Sequence, residues 1–415
     1  MEITNNKTKT IDKVFTTFVC LIPILEYYRS PIPMFNYATL IAMVFGVLFT
    51  VLFFTKRQHK STAPKYAVAY IVFISLNVIV TSLQYNYSFS WANLSSWVRM
   101  VVLLYSLVLV GSGHFDVAFA KKALSFIICI SSVIIFAQFL LGNLAGVRTK
   151  LVIESLLSES GYSQAGMRYS ALYMEPAHFA QSATIFLILT VFSDSKRKSD
   201  YVAIVITSFG ILFSGSGQGY LYLLLIAFLF TFRYLFLGKG NFGNRVALVL
   251  FTAAIVLLMS LLFLNIPYIQ FSLSRIISVD GAIGGQALSG RIGSGVRFND
   301  LLDEQKIFGL GFGHSKDITT LYLTSFNTHL IECGYVSIVF LLFFVLMGLR
   351  NKRFISFVFS VYFVLLIVFA SGANPMTLAY MLLFIHHSGM KQTKKLCKCL
   401  LVPEERSFYA RIKGF

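Results

Sequence analysis

The sequence predicts an all-α integral membrane protein with about twelve transmembrane helices. Its composition excludes a soluble domain, because 57% of the residues are hydrophobic, 13% are charged and the mean hydropathy is +0.75. The apolar runs are about 15 to 22 residues long, which suits helices that satisfy their own backbone in lipid and not the short alternating strands of a barrel. Lysine and arginine also concentrate in alternate connections, as a polytopic helical protein requires.

We treat residues 1–415 as one transmembrane domain with a basic cytoplasmic tail over 388–415. The predicted spans are centred, in chain order, on Phe18, Val44, Ser75, Tyr105, Ile130, Thr184, Thr207, Ala227, Ile255, Ile338, Tyr362 and Leu382. The first, seventh and last are short, and the seventh could instead be re-entrant or tilted. The first follows three lysines but lacks a small-residue cleavage site, so we interpret it as a retained span.

The charges predict that both termini lie inside. With that orientation the inner segments hold 25 of the 35 basic residues, whereas the outer side holds ten basic and ten acidic residues. The net charge of +18 therefore lies on the cytoplasmic face. We interpret it as a topology signal and an attraction to anionic membrane lipid, which argues against nucleic acid as a partner.

Two outer loops, Gly142 to Ser170 and Asn265 to Ser325, carry most of the polar chemistry, whereas charge is scarce at deep membrane positions. The second loop is about sixty residues long, and loops of more than about 15 residues are usually functional or disordered. Val296, Leu301 and Leu302 stand among charged residues between Arg297 and Glu304, which predicts at least one short helix that lies across the outer face and caps a substrate cavity.

Arginine outnumbers lysine on the outer side, which indicates a phosphate or diphosphate site. The planar guanidinium binds phosphate oxygens with two hydrogen bonds and keeps its charge. Arg168 and Arg291 have no acid close by in sequence and are the best candidates. Arg297 is a further candidate, but Asp300 lies one turn along and a surface ion pair is the alternative. Binding to lipid headgroups explains three others better: Arg29, Arg99 and Arg275.

Three side chains on the outer side are candidate catalytic bases: His329, His314 and Glu175. A neutral imidazole can accept the proton of a sugar hydroxyl near physiological pH. Glu175 and His178 are three residues apart and share a helix face, but no other ligands complete a metal site, so we predict no metal and no cofactor. A structural role for Glu175, as the partner of an arginine, is at least as well supported.

The glycines of FGLGFGH at Gly309, Gly311 and Gly313 can adopt positive φ and let backbone amides approach an anion. Gly311 and Gly313 are therefore candidate diphosphate-binding residues. The glycines of SGSGQG predict only a tight outer turn. The five cysteines are scattered and predict no disulfide framework.

Five short motifs together resemble the O-antigen polymerase (Wzy) family and, more distantly, the O-antigen ligases, over roughly residues 165–345. They are RYSALYMEPAHFA from Arg168, FSGSGQG from Phe213, SGR at Ser289, FGLGFG at Phe308 and ECGYVSIVFL from Glu332. The resemblance implies a metal-independent, inverting glycosyltransferase of the GT-C type on the periplasmic face of a bacterial inner membrane. Such an enzyme moves a growing glycan from undecaprenyl diphosphate to the non-reducing end of a lipid-linked repeat unit, and a chain-length regulator can be its partner.

Carried onto this chain, Arg168 and Arg291 match the family's phosphate-binding arginines, and Glu175 with Pro176 matches its short EP element. His329 lies closer to Gly334 than the related histidine lies to its glycine, so His329, His314 or no histidine serves as the base. Two alternatives stay open from the sequence. One is an O-antigen ligase, and the other is a flippase for lipid-linked oligosaccharide, which would not be an enzyme.

Overall fold

The computed structural model confirms an α-helical membrane protein. It describes residues 2–32, 35–56, 65–85, 91–147, 168–193, 196–237, 242–247, 249–250, 298–299, 301–314, 325–350, 353–370 and 375–389. Within these ranges there is no β-strand, and the one extended pairing is an isolated bridge between Arg29 and Asn36.

The helices follow the predicted spans closely. In chain order they are α1 (Glu2–Leu25), α2 (Tyr37–Lys56), α3 (Lys65–Tyr85), α4 (Trp91–Leu103), α5 (Val117–Leu144), α6 (Pro176–Val191), α7 (Lys198–Ser214), α8 (Gly217–Leu237), α9 (Asp303–Phe308), α10 (Ser325–Arg350), α11 (Phe354–Phe369) and α12 (Pro375–Gly389). Helix α4 continues as a π-helix over Leu104–Val110. Every predicted span centre except Ile255, which lies outside the described residues, falls in one of these helical segments.

Six helices are long and apolar enough to cross a membrane, judged by length and composition. The spans are Tyr37–Phe54, Ala67–Gln84, Asn93–Val110, Val117–Asn143, Gly217–Leu237 and Phe326–Arg350. Helices α6 and α11 are apolar but shorter. The predicted number of twelve spans stays a prediction.

Helices α6 and α12 form the centre of the bundle. Nearly every residue of α6 is buried, and so is every residue from Leu378 to Ile385 in α12. Both sequences are apolar around the whole helix, which is the pattern of a helix enclosed by others. Because α6 begins at Pro176, this central helix carries the EP element at its start.

The surrounding helices expose apolar side chains on their outward faces. Val44 and Phe54 of α2, Phe126 of α5, and Leu224 and Phe228 of α8 are each more than half exposed. Contiguous exposure of this kind is rare on a water-soluble monomer, so these faces fit contact with lipid.

Polar contacts join the helix ends that the charge pattern predicts to be cytoplasmic. His114 Nδ1 lies 2.8 Å from Asp12 Oδ1, and Lys121 Nζ donates over 2.7 Å to Asp200 Oδ2. Arg233 donates over 2.9 Å to the Phe192 carbonyl just after α6. These ends therefore gather at one end of the bundle, as the prediction requires, while the side of the membrane on which they lie stays a prediction.

The structure confirms a short helix in the long loop. It spans Asp303–Phe308, and Phe298 and Asn299 are also helical. Gln305 caps its start, since its Oε1 accepts the Leu302 N–H over 3.1 Å, and Gly309 ends the helix with φ 76°. Lys306 donates a hydrogen bond to Asp303 and holds the pKa of this exposed carboxyl below its usual range.

Small residues let α5 and α7 approach closely. A side chain added at Gly210 of α7 would collide with Ser132 of α5, including its side-chain oxygen. Such contacts are typical of helices in membranes, where close van der Waals packing drives association.

We expect Gly210→Leu to destabilise the protein by about 1–3 kcal/mol, because the leucine overpacks the α5–α7 contact. Thermal denaturation in detergent micelles measures the effect. Ala69→Leu is the matched control, because Ala69 is exposed on α3 and a larger apolar residue there meets lipid. Equal transition midpoints for the two variants would contradict the proposed close contact.

Candidate functional site

Helix α10 bends sharply at Gly334, where the backbone is non-helical with φ 64° and ψ −165°. The Ser337 hydroxyl donates to the His329 carbonyl over 3.2 Å, although residues eight apart in a straight helix are separated by about 12 Å along the axis. The predicted tenth span is therefore two segments. The second, from Tyr335 to Arg350, is about 24 Å long at the usual rise per residue.

The glycine-rich segment after α9 supplies donors to the bent part of α10. The Leu310 amide donates to the Ile331 carbonyl over 2.8 Å, and the Gly311 amide donates to the Glu332 carbonyl over 2.9 Å. Because the bend removes the regular geometry of the next helical turn, these carbonyls need other donors, and a loop segment provides them.

Two glycines make this contact possible. A Cβ at Gly309 would collide with the Glu332 backbone, and a Cβ at Gly334 would collide with the Ile307 backbone. Both glycines also have positive φ, which other residues rarely adopt. The sequence analysis predicted positive φ for Gly311 and Gly313 as well, and the structure confirms it with values of 105° and 92°.

The Gly311 amide binds another part of the protein, whereas the sequence predicted that it binds a phosphate. It is already hydrogen-bonded to Glu332, the Phe312 amide is bonded to Asn77, and the His314 amide is bonded to the Gly311 carbonyl. A phosphate could contact the Gly311 amide only if its bond to α10 broke. Phosphate binding through Gly311 or Gly313 stays a prediction, and the observed role of the segment is to hold the bend.

Asn77 of α3 holds the same segment from the other side. Its Nδ2 donates to the Phe308 carbonyl over 2.6 Å, and its Oδ1 accepts the Phe312 amide over 3.1 Å. Its side chain is 4% exposed and lies near the middle of α3. Asn77 was not among the residues predicted from the sequence, although an isolated amide in an apolar span was the available indication.

His314 lies in a cleft between the loop and two membrane helices. The cleft encloses about 10 Å³, which is room for about one water molecule, and is lined by Val78, Thr81, Ser82, Asn93, Gly311, Phe312 and His314. Asn93 Nδ2 lies 3.0 Å from Nδ1 and 3.1 Å from Nε2 of the imidazole. Since Asn93 is near the start of α4 and Thr81 near the end of α3, the cleft lies at the end of these helices that is predicted to face outward.

His329 is buried and not at the edge of the bundle. It is 3% exposed, and its Nε2 lies 2.7 Å from the hydroxyl of Tyr70, the sixth residue of α3. The bend at Gly334 explains this position, because it turns the His329 segment back beside the rest of α10. Glu332, one turn further along, is also only 5% exposed. The expectation that ionisable side chains are scarce between the helices therefore does not hold at α10.

The other predicted site segment, from Arg168, docks on α5 and α7. The Tyr169 amide donates to the Ser214 carbonyl over 3.3 Å, and the Ala171 amide donates to Gln138 Oε1 over 3.1 Å. Ala171 has φ 51°, which is unusual for a residue with a side chain. The segment thus has a defined backbone and places Arg168 just outside the junction of two helices.

Glu175 is the residue that precedes α6, and its side chain forms no cap hydrogen bond. Its carboxylate makes no hydrogen bond or ion pair with the described part of the chain. The ring of His178, three residues later, stacks on Tyr27 just after α1 with centroids 4.3 Å apart. The role of Glu175 as an arginine partner or a base stays a prediction.

Two predicted phosphate ligands, Arg291 and Arg297, lie outside the described residues. Their approach to Arg168 stays a prediction. Among the residues that the structure describes, no group of three or more His, Cys, Asp or Glu side chains is arranged to hold a metal ion.

Comparisons with protein-family models, with curated proteins and with solved structures give no match to this chain.

We expect Asn77→Leu to destabilise the protein by about 2–4 kcal/mol, because it leaves the Phe308 carbonyl and the buried Phe312 amide without their partner. Denaturation in detergent, followed by helical circular dichroism, measures the loss. Asn143→Leu is the matched control, since the Asn143 side chain is exposed near the end of α5. A loss no larger than that of the control would show that Asn77 does not hold the segment.

Proposed function

We propose that this protein polymerises lipid-linked oligosaccharide repeat units on the outer face of a bacterial inner membrane. The growing glycan would leave undecaprenyl diphosphate and join the non-reducing end of a new repeat unit. The observation that carries the proposal is a loop segment with a histidine, fixed between two apolar helices beside a small polar cleft.

This arrangement of residues suits a lipid-linked substrate. Its prenyl chain stays in lipid while the diphosphate and sugars lie at the membrane surface, so the reacting groups must meet at an outer helix end. The cleft at Thr81, Asn93 and His314 combines hydroxyl, amide and imidazole groups with apolar walls from Val78 and Phe312. Binding sites for sugars and other small molecules commonly combine such surfaces.

We assign the general base to His314, which lines the cleft. Glu175 is the second candidate. It immediately precedes α6, and a carboxylate can accept a proton from a sugar hydroxyl.

The proposed reaction needs charge stabilisation more than protonation of the leaving group. His314 accepts the proton of the acceptor hydroxyl while the hydroxyl oxygen attacks the anomeric carbon. The bond from that carbon to the diphosphate oxygen breaks, and its electron pair stays on the diphosphate. Arginines can stabilise this growing negative charge, and we assign that role to Arg168 with Arg291 and Arg297.

The decisive experiment supplies the purified protein with synthetic undecaprenyl diphosphate repeat units in proteoliposomes. A ladder of products that grows by whole repeat units is the expected result. Gel electrophoresis with mass spectrometry measures it. No extension under conditions where the same lipid binds would overturn the proposal.

We expect Arg168→Ala to lower the polymerisation rate by about 100-fold or more, because the charge that grows on the leaving diphosphate loses its partner. The matched control is Arg29→Ala, another arginine on the predicted outer side but exposed and assigned to lipid headgroups. The initial rate is compared at equal amounts of folded protein. Equal rates for Arg168→Ala and the control would refute the phosphate assignment.

Two other functions give different results in the same system. An O-antigen ligase would transfer glycan to lipid A core added as acceptor and would form no ladder without it. A flippase would move fluorescent lipid-linked oligosaccharide across the bilayer without extending it. The buried Glu332 and His329 support the flippase alternative, because ionisable residues between membrane helices often mark a transport path.

A further inference from the structure

Lys196 lies in the connection between α6 and α7, at the end of the bundle that is predicted to be cytoplasmic. Its ammonium nitrogen lies 5.9 Å from the ring centroid of Tyr201 on α7 and 5.5 Å from that of Phe230 on α8. Tyr201 is 57% exposed and Phe230 is 43% exposed, so both rings lie on the perimeter of the bundle. The two cation–π contacts therefore hold the charge of Lys196 where the protein meets lipid.

Two other basic side chains near Lys196 have partners within the protein. Lys121 of α5 donates to Asp200 over 2.7 Å, and Arg233 of α8 donates to the Phe192 carbonyl over 2.9 Å. By contrast, the ammonium group of Lys196 makes no hydrogen bond or ion pair with the described part of the chain. Its three N–H donors are therefore available to a ligand.

Positive charge exceeds negative charge around Lys196. Burial lowers the pKa of Lys196, the charges of Arg233 and Lys121 lower it further, and Asp200 opposes them. The connection over 193–200 holds three basic and two acidic residues, so that with Lys121 and Arg233 the region has five basic residues against two acidic ones. An anion beside Lys196 would reduce the repulsion between these cations.

An apolar stripe on α7 begins next to Lys196. Tyr201, Val205 and Phe209 are spaced four residues apart, so they share one face of the helix, and they are 57%, 54% and 43% exposed. The stripe continues from the charged end of the bundle along α7. A ligand with an anionic head and apolar chains matches both features, whereas a soluble anion matches only the charge.

We propose that the Lys196 ammonium binds the headgroup phosphate of an anionic phospholipid whose acyl chains lie along the exposed face of α7. Tyr201 and Phe230 hold the ammonium in place, and Lys121 and Arg233 add to the positive potential. Basic pockets between membrane helices are known to bind anionic headgroups in this way. The net charge predicted only a general attraction to such lipid, and the site does not depend on the proposed polymerase reaction.

Native mass spectrometry of the protein with added phosphatidylglycerol measures the binding. We expect Lys196→Gln to weaken phosphatidylglycerol binding about tenfold, because charge-assisted hydrogen bonds to the phosphate are lost. Lys122→Gln is the matched control, since it removes the same charge from an exposed position on α5 at the same end of the bundle, and it should weaken binding less than about threefold. Equal losses in the two variants would overturn the site, and so would an equal loss of phosphatidylcholine binding.

Photo-cross-linking tests where the acyl chains lie. Phosphatidylglycerol with a diazirine in one acyl chain is incorporated into nanodiscs, and mass spectrometry locates the label. We expect label on the segment from Tyr201 to Phe209, with a lower yield in Lys196→Gln and an unchanged yield in Lys122→Gln. Label spread evenly over α2, α5 and α7 would overturn the proposal. Excess inorganic phosphate should leave the yield unchanged because it lacks acyl chains, and a loss of label would show that the ligand is free phosphate and not a lipid.

Discussion

The bend at Gly334 imposes the constraint on which the candidate site depends. A broken helix inside an apolar bundle leaves carbonyls that water cannot reach, and each unpaired group there is costly. The amides of Leu310 and Gly311 meet this requirement at Ile331 and Glu332. Loop and helix therefore stabilise each other, and neither keeps this geometry without its partner. This explains why a polar, glycine-rich segment lies between membrane helices instead of over them.

The contact between the loop and the bend also determines which residues line the cleft. Once the loop is held by Asn77, the next residues reach the predicted outer end of α3 and α4, where His314 lines the cleft with Asn93 and Thr81. The hydrogen bonds that hold the backbone are thus within a few residues of the polar side chains of the cleft. A held backbone beside a candidate catalytic group fits the general need for prearranged polar groups in an active site.

The lengths of the apolar runs and the positions of the charged residues were sufficient to predict the helices. Each span must satisfy its own backbone hydrogen bonds, and the charges that flank it are close to it in sequence. The bend was not predicted in this way. The run from Phe326 to Arg350 has the length and hydropathy of an ordinary span. Its bend at Gly334 depends on close contact with the segment around Gly309, which lies outside the helix and 25 positions earlier in the sequence. The burial of His329 follows from the same contact, so no local pattern could reveal it.

The roles of polar residues were predicted least well, for a related reason. Residue type indicated which chemistry His329 could perform, but its hydrogen-bond partner is Tyr70, which is 259 positions away in sequence. A tyrosine in an apolar span usually anchors a helix at the membrane surface, and only its fully buried hydroxyl shows otherwise. The His329 ring already shares a hydrogen bond with the Tyr70 hydroxyl and does not line the cleft. His314 does line the cleft, which is the physical reason for assigning the role of base to His314.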